Sequence, residues 1–71
     1  MVHAKESKLK GVRELEGWSI TEVARAADIA PATLTKAESG EAIQPRIWGK
    51  ILKGINSLPN KGKVYAMSDI R

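Results

Sequence analysis

Apolar side chains recur along most of the chain at intervals of three and four residues, the spacing that places them on one face of an α-helix. The first run predicts a helix over residues 7–16, with Leu9, Val12 and Leu15 on a common stripe. Gly17 follows this run, and a glycine at that place predicts a left-handed residue that ends the helix.

A second helix is predicted to begin near Ile20, because Ser19 and Glu22 have the spacing of a capping box. It should end at Asp28, since aspartate is one of the few residues besides glycine that tolerate a positive φ. The side chains on its inner face are small, which allows a neighbouring helix to come close. These inward residues are Val23, Ala24 and Ala27.

A third helix is predicted over residues 31–39, because Pro31 suits the first turn of a helix and Gly40 suits its end. Leu34 and Ala37 should face inward. The break between the second and third helices is so short that the third must leave at a steep angle. The exposed face of the third helix is then free to contact another molecule.

A fourth helix is predicted over residues 45–56, with a wide apolar stripe formed by Ile47, Trp48, Ile51, Leu52 and Ile55. After a breaker cluster, residues 63–67 alternate in a way that suits a short strand or an extended arm. Residues 68–71 have the pattern of a helix start.

These elements predict an all-α fold, a compact domain of four to five helices with a short extended or strand-like C-terminal tail. The predicted division is a flexible tail over residues 1–7, one domain over residues 8–57 and a C-terminal tail over residues 58–71. That last tail could exchange strands with a second copy and so act as a dimerisation arm, or it could fold back on its own domain.

The composition excludes several classes of function. With 71 residues and 42% apolar content, the chain can build one small core and no enclosed substrate cavity. It has no cysteine and a single histidine, His3, so we expect no metal site, no cofactor and no enzyme activity. No apolar run reaches the roughly 20 residues of a membrane span, and the polar first residues lack the apolar middle of a signal peptide. A cytoplasmic protein without a small-molecule substrate is expected.

Positive charge points to an anionic partner. Twelve Lys and Arg against eight Asp and Glu give a net charge of +4, and the calculated pI is about 9.7. Lys5, Lys8 and Lys10 lie beside the first helix, where they could be merely solvated or could form a basic arm on phosphates.

The helix starts, helix ends and inward-facing positions described above form one pattern of residues between Leu9 and Asn56. The pattern consists of Leu9, Val12, Arg13, Gly17, Trp18, Ser19, Val23, Ala24, Asp28, Ile29, Leu34, Glu38, Ser39, Gly40, Pro45 and Arg46. The pattern resembles that of the lambda-repressor and Cro-type helix-turn-helix domains, which include xenobiotic-response-element-like regulators of bacteria and phages. The resemblance implies a transcriptional regulator of the repressor type that binds a double-stranded DNA operator, with the third helix in the major groove.

The resemblance also implies roles for particular residues. Pro31 and Ala32 could contact thymine methyl groups, whereas Lys36 could donate to guanine or, alternatively, reach a phosphate. Those expected to face the bases are Pro31, Ala32, Thr35 and Lys36. Those expected at phosphates are Ser19, Thr21, Thr33 and Arg46, although capping alone could account for Ser19. Arg13 and Glu38 match positions that form a structural ion pair between the first and third helices.

The chain departs from the family pattern in three places. The second helix often begins with a glutamine that reaches a phosphate, and Ile20 or Thr21 stands there instead. Pro31 and Ala32 replace long polar side chains, so specificity could be modest or depend on DNA shape. The usual fifth helix is expected to be missing or replaced.

Family members commonly dimerise, so a homodimer is expected. Residues that could form its interface are Trp48, Leu52, Val64, Tyr65 and Met67, although Trp48 and Leu52 also suit the core. The alternative function on the same fold is a protein-interaction module, such as an antitoxin-like partner or a coactivator.

Overall fold

The computed structural model describes residues 8–59 and 63–71, and within these ranges the protein is all-helical. Its helices are α1 (Leu9–Glu16), α2 (Ile20–Ala27), α3 (Pro31–Glu38), α4 (Pro45–Ser57) and α5 (Met67–Ile70). The all-α prediction is confirmed. The predicted tail over residues 1–7, the predicted first residue of the first helix and Lys5 lie outside the described residues.

The helix ends follow the local signals in the sequence. Gly17 has φ 79° and Asp28 has φ 59°, so both residues end their helices in the left-handed conformation. At the start of α2, the Glu22 backbone N–H donates to Ser19 Oγ at 3.0 Å, and the Ser19 backbone N–H donates to the Glu22 carboxylate at 2.8 Å. Pro31 occupies the first turn of α3 as predicted. The predicted break between α2 and α3 is therefore confirmed.

The core lies between α2 and α4, which approach closely because small residues face each other. A Cβ added at Gly54 of α4 would lie 2.7 Å from the backbone nitrogen of Ala27, so only glycine fits there. Ala24 and Ala27 of α2 are buried, as predicted. The largest fully buried side chains are Leu9, Val23, Leu34, Ile51, Ile55 and Ile70.

The predicted stripe on α1 is wrong at Leu15, which is 65% exposed. Leu15 is six positions after Leu9, which places it about 240° from Leu9 around the helix axis. Leu9 is fully buried and Val12 packs against the core. The α1 stripe therefore consists of Leu9 and Val12.

The C-terminal segment, which was predicted to be a tail after residue 57, contributes to the core. Tyr65 is 3% exposed and Ile70 is fully buried. The Asn56 side chain donates to the Tyr65 carbonyl at 3.0 Å and accepts from the Tyr65 N–H at 2.8 Å. These contacts correspond to a segment folded back on its own domain.

Residues 63–66 form no strand, and the helix start predicted at residues 68–71 corresponds to the single turn α5, where the usual fifth helix was expected to be missing or replaced. Lys8 Nζ donates to the Ser68 carbonyl at 3.0 Å, which joins the start of α1 to α5. Trp18 Nε1 donates to the Pro59 carbonyl at 3.1 Å. None of the helices in the described ranges is long and apolar enough to cross a membrane.

Candidate nucleic-acid interface

The outer face of α3 presents the four side chains that were predicted to face bases. These are Pro31, Ala32, Thr35 and Lys36, all of them exposed. The opposite face is held by Leu34 and Ala37, which are fully buried. The turn at Asp28 directs α3 away from α2, so the exposed face is not covered by another described element.

The hydrogen-bonding capacity of this face is concentrated in Lys36. The Thr35 hydroxyl donates to the Pro31 carbonyl at 3.1 Å, so its proton is used within the helix. Pro31 and Ala32 offer only apolar surface. Lys36 forms no ion pair with any residue in the described ranges, and its ammonium group can donate three hydrogen bonds.

An open groove of about 640 Å³ runs between α3 and the start of α4. Thr33 and Lys36 line it from α3, and Gln44 lines it from the α3–α4 loop. Gln44 is exposed, and its side chain makes no capping hydrogen bond to α4. Gln44 was not predicted as a site residue from the sequence, where only its place directly before Pro45 indicates that it lies at the start of a helix.

Arg46 is exposed in the first turn of α4. Pro45 has no N–H and the Ile47 N–H donates to the Gln44 carbonyl at 2.9 Å, so it is chiefly the helix dipole that makes this end positive. An arginine in the same turn adds a full positive charge. The start of α4 therefore has the chemistry of a phosphate-binding position.

Two other phosphate candidates, Ser19 and Thr21, lie at the start of α2, whereas Thr33 lies in α3. The Ser19 hydroxyl takes part in the capping box, which accounts for this residue without any external partner. Thr21 is exposed and lines a groove of about 280 Å³ with Arg25 and Pro31. Arg25 is exposed and was not singled out from the sequence.

Arg13 and Glu38 form an ion pair that connects α1 to α3. Arg13 Nε lies 2.6 Å from Glu38 Oε2, and Arg13 Nη2 donates to Glu38 Oε1 at 3.2 Å. Arg13 Nη1 also donates to the Trp18 carbonyl at 3.1 Å. The side chains are 14% and 7% exposed.

The surroundings of this pair favour the charged state of Arg13. Its hydrogen bond to Glu38 raises the pKa of Arg13, and this effect outweighs burial, which acts in the opposite direction. Because Glu38 belongs to the last turn of α3, the pair fixes the position of that helix relative to α1.

Comparison with known proteins gives one match. A helix-turn-helix family model matches residues 9–60, which include α1 to α4. Neither the search of curated proteins nor the search of solved structures returned a match. The matched family is one of DNA-binding regulators of transcription. Because the match spans most of the chain and agrees with its all-helical fold, the chain belongs to the helix-turn-helix family of the lambda-repressor and Cro type.

Proposed function

We propose that the protein is a sequence-specific regulator of the repressor type, which acts in the cytoplasm and places α3 in the major groove of double-stranded DNA. The observation that carries this proposal is the exposed outer face of α3, held at a fixed angle by the Asp28 turn and by the Arg13–Glu38 pair. The major groove of B-DNA is wide enough to admit such a helix.

Base recognition on this proposal depends chiefly on Lys36. Its ammonium group donates to O6 and N7 of a guanine, while Pro31 and Ala32 approach thymine methyl groups. Thr35 contributes its methyl group and its acceptor oxygen, because its proton is directed to the Pro31 carbonyl. With few hydrogen-bonding side chains on this face, sequence-dependent DNA shape supplies part of the specificity.

Phosphate contacts set the position of α3 in the groove. Arg46 binds a phosphate beside the start of α4, and Thr33 donates its hydroxyl from the flank of α3. Thr21 and Ser19 lie near a second phosphate at the start of α2, where the family's usual glutamine is absent. The Ser19 hydroxyl stays in the capping box, so its contribution is smaller.

We also propose a homodimer whose two α3 helices occupy half-sites about one helical turn apart. Two of the expected interface residues, Trp48 and Tyr65, are buried within the single chain and cannot form it. Val64 is 82% exposed, and Leu52 and Met67 are partly buried. These three side chains are the remaining candidates for a contact between copies.

Selection of binding sites from random duplexes tests the assignment of α3. The wild type should enrich a motif that contains guanine, and Lys36→Ala should remove the preference for that guanine while leaving the other positions unchanged. If Lys36→Ala weakens binding to all sequences equally, Lys36 contacts a phosphate instead. If the wild type enriches no sequence, the sequence-specific function is wrong.

A further inference from the structure

The outer face of α4 carries a row of positive charges, and the proposed function uses only the first of them, Arg46. This basic stripe consists of Arg46, Lys50 and Lys53, and all three side chains are exposed. They are spaced four and three residues apart, so they lie on one side of the helix about 6 Å and about 4.5 Å apart along its axis. α4 contains no Asp or Glu, and within the described ranges the three residues form no ion pair.

The packing of α4 keeps the basic stripe directed outward. The opposite side of the helix buries Trp48, Ile51 and Ile55 in the core. Lysine and arginine on the outer side cannot reach across this apolar face to an internal partner. Their charges are therefore available to an external anion.

The basic stripe is also continuous with the proposed DNA-binding surface. It begins at Arg46, in the same turn of α4 that we assign to a phosphate. Lys50 and Lys53 line a groove of about 310 Å³ together with Asp28, the acidic turn residue between α2 and α3, which forms no ion pair with either lysine in the described structure. The stripe thus runs from the start of α4 to the turn that precedes α3.

We infer that Lys50 and Lys53 bind the DNA phosphate backbone and extend the contact beyond the segment that α3 reads. This inference rests on the proposed function. The partner is a polyanion with regularly spaced charges, because B-DNA carries one negative charge per about 1.7 Å of its axis. Spacings of about 4.5 to 6 Å between the cations allow each to meet a different phosphate.

Two other roles for the lysines lead to a different result. Lys50 and Lys53 lie beside the end of α2, where a positive charge also stabilises the last carbonyl groups of a helix. An acidic protein surface could also pair with the stripe. Neither role involves the release of counterions from DNA, so the salt dependence of DNA binding separates them from a phosphate contact.

The test measures the affinity of the full chain for a random-sequence duplex of about 20 base pairs, two turns of B-DNA, over a range of salt concentrations. Each neutralised phosphate contributes about 0.9 to the magnitude of the slope of log affinity against log salt. The double variant Lys50→Gln, Lys53→Gln should therefore lower this magnitude by about 1.8. The matched variant Lys50→Arg, Lys53→Arg should keep the wild-type slope.

Lys63→Gln is the control for a general loss of charge, because it removes one positive charge from the C-terminal segment, outside the basic stripe. Lys63 Nζ lies 5.1 Å from the centre of the Tyr65 ring. The slope of this control variant should remain that of the wild type. An unchanged slope in the double glutamine variant would overturn the inference. The basic stripe would then be either merely solvated or the binding surface for an acidic protein. The proposed function would survive that result if Arg46→Gln, at the phosphate assigned to the start of α4, lowered the slope. Absence of any salt-dependent binding by the wild type would overturn both.

Discussion

Adding one methyl group at Gly54 should destabilise the domain, because backbone atoms of α2 already occupy the space that the group needs. A Cβ at this position would lie 2.7 Å from Ala27 N, 2.8 Å from Ala27 Cα and 2.9 Å from the Ala26 carbonyl carbon. Ordinary contacts of a Cβ begin near 3.4 Å. Since these neighbours are backbone atoms that cannot rotate away, Gly54→Ala must push α2 and α4 apart by several tenths of an ångström.

The expected cost follows from two opposing effects. Forcing an extra carbon into a packed interior costs typically 1 to 3 kcal/mol, and the upper part of this range applies where backbone must move. Alanine is a better helix former than glycine by about 1 kcal/mol, which offsets part of the cost. The net loss in free energy of unfolding should be about 2 kcal/mol, which lowers the Tm of a domain this small by roughly 8 to 16 °C.

Gly49 provides the matched control in the same helix. It is exposed, and an added Cβ would meet no atom within 4 Å. Gly49→Ala should therefore raise the free energy of unfolding by about 0.5 to 1 kcal/mol through helix propensity alone. Urea and thermal unfolding followed by circular dichroism measure both variants. If Gly54→Ala is as stable as Gly49→Ala, the close approach of α2 and α4 is wrong.

Two further predictions concern the polar contacts that hold α1 in place. Glu38→Ala should lower the free energy of unfolding by about 3 kcal/mol, because it leaves Arg13 largely buried without its partner; a denaturant midpoint close to that of the wild type would contradict the buried pairing. The hydrogen bond that the Tyr65 hydroxyl donates to Glu16 raises the pKa of Tyr65 to about 12, with burial as a second cause. Its usual value is 10.0, so the stability that the protonated hydroxyl provides should be complete below pH 10 and lost as the pH rises through about 12. Tyr65 is the single tyrosine of the chain, so its ionisation can be followed by absorbance near 295 nm. The midpoint should lie at about pH 12 in the wild type and closer to pH 10 in Glu16→Gln. Equal midpoints in the two proteins would refute the contact between Tyr65 and Glu16.

The sequence predicts the first four helices well because their signals are local. The Ser19–Glu22 capping box, the glycine at 17 and Pro31 each act within one helical turn, and the structure has them in the predicted roles. Asp28 was predicted as a turn residue for its tolerance of positive φ, and it has φ 59°. None of these features requires knowledge of distant contacts.

The C-terminal segment could not be predicted in the same way, because its structure depends on residues far away in the chain. Tyr65 contacts Glu16, 49 residues earlier, and Lys8 contacts Ser68, 60 residues later. The alternation of residues 63–67 is a local signal typical of strands, yet the segment has no neighbouring strand to pair with among the described elements. Burial of Tyr65 and Ile70 fixes it instead.

Part of the candidate site also depends on the tertiary fold. The family resemblance identifies the outer face of α3, since that assignment follows from position along a helix. Gln44 becomes relevant only because the α3–α4 loop brings it into one groove with Thr33 and Lys36. The apolar stripe of α4 is enough to predict that Lys50 and Lys53 face outward. Their position beside the Asp28 turn could not be predicted in this way, because it depends on the packing of α4 against α2.

An NMR titration of the labelled protein with a random-sequence duplex at two salt concentrations shows whether α3 enters a groove of DNA. If it does, the amide signals of Thr33, Lys36 and Arg46 should shift together, and these shifts should weaken at the higher salt concentration because the phosphate contacts release counterions. If those signals stay still while Trp48 or the C-terminal segment alone responds, the DNA-binding assignment of α3 is contradicted, and a protein partner becomes the better explanation of this face.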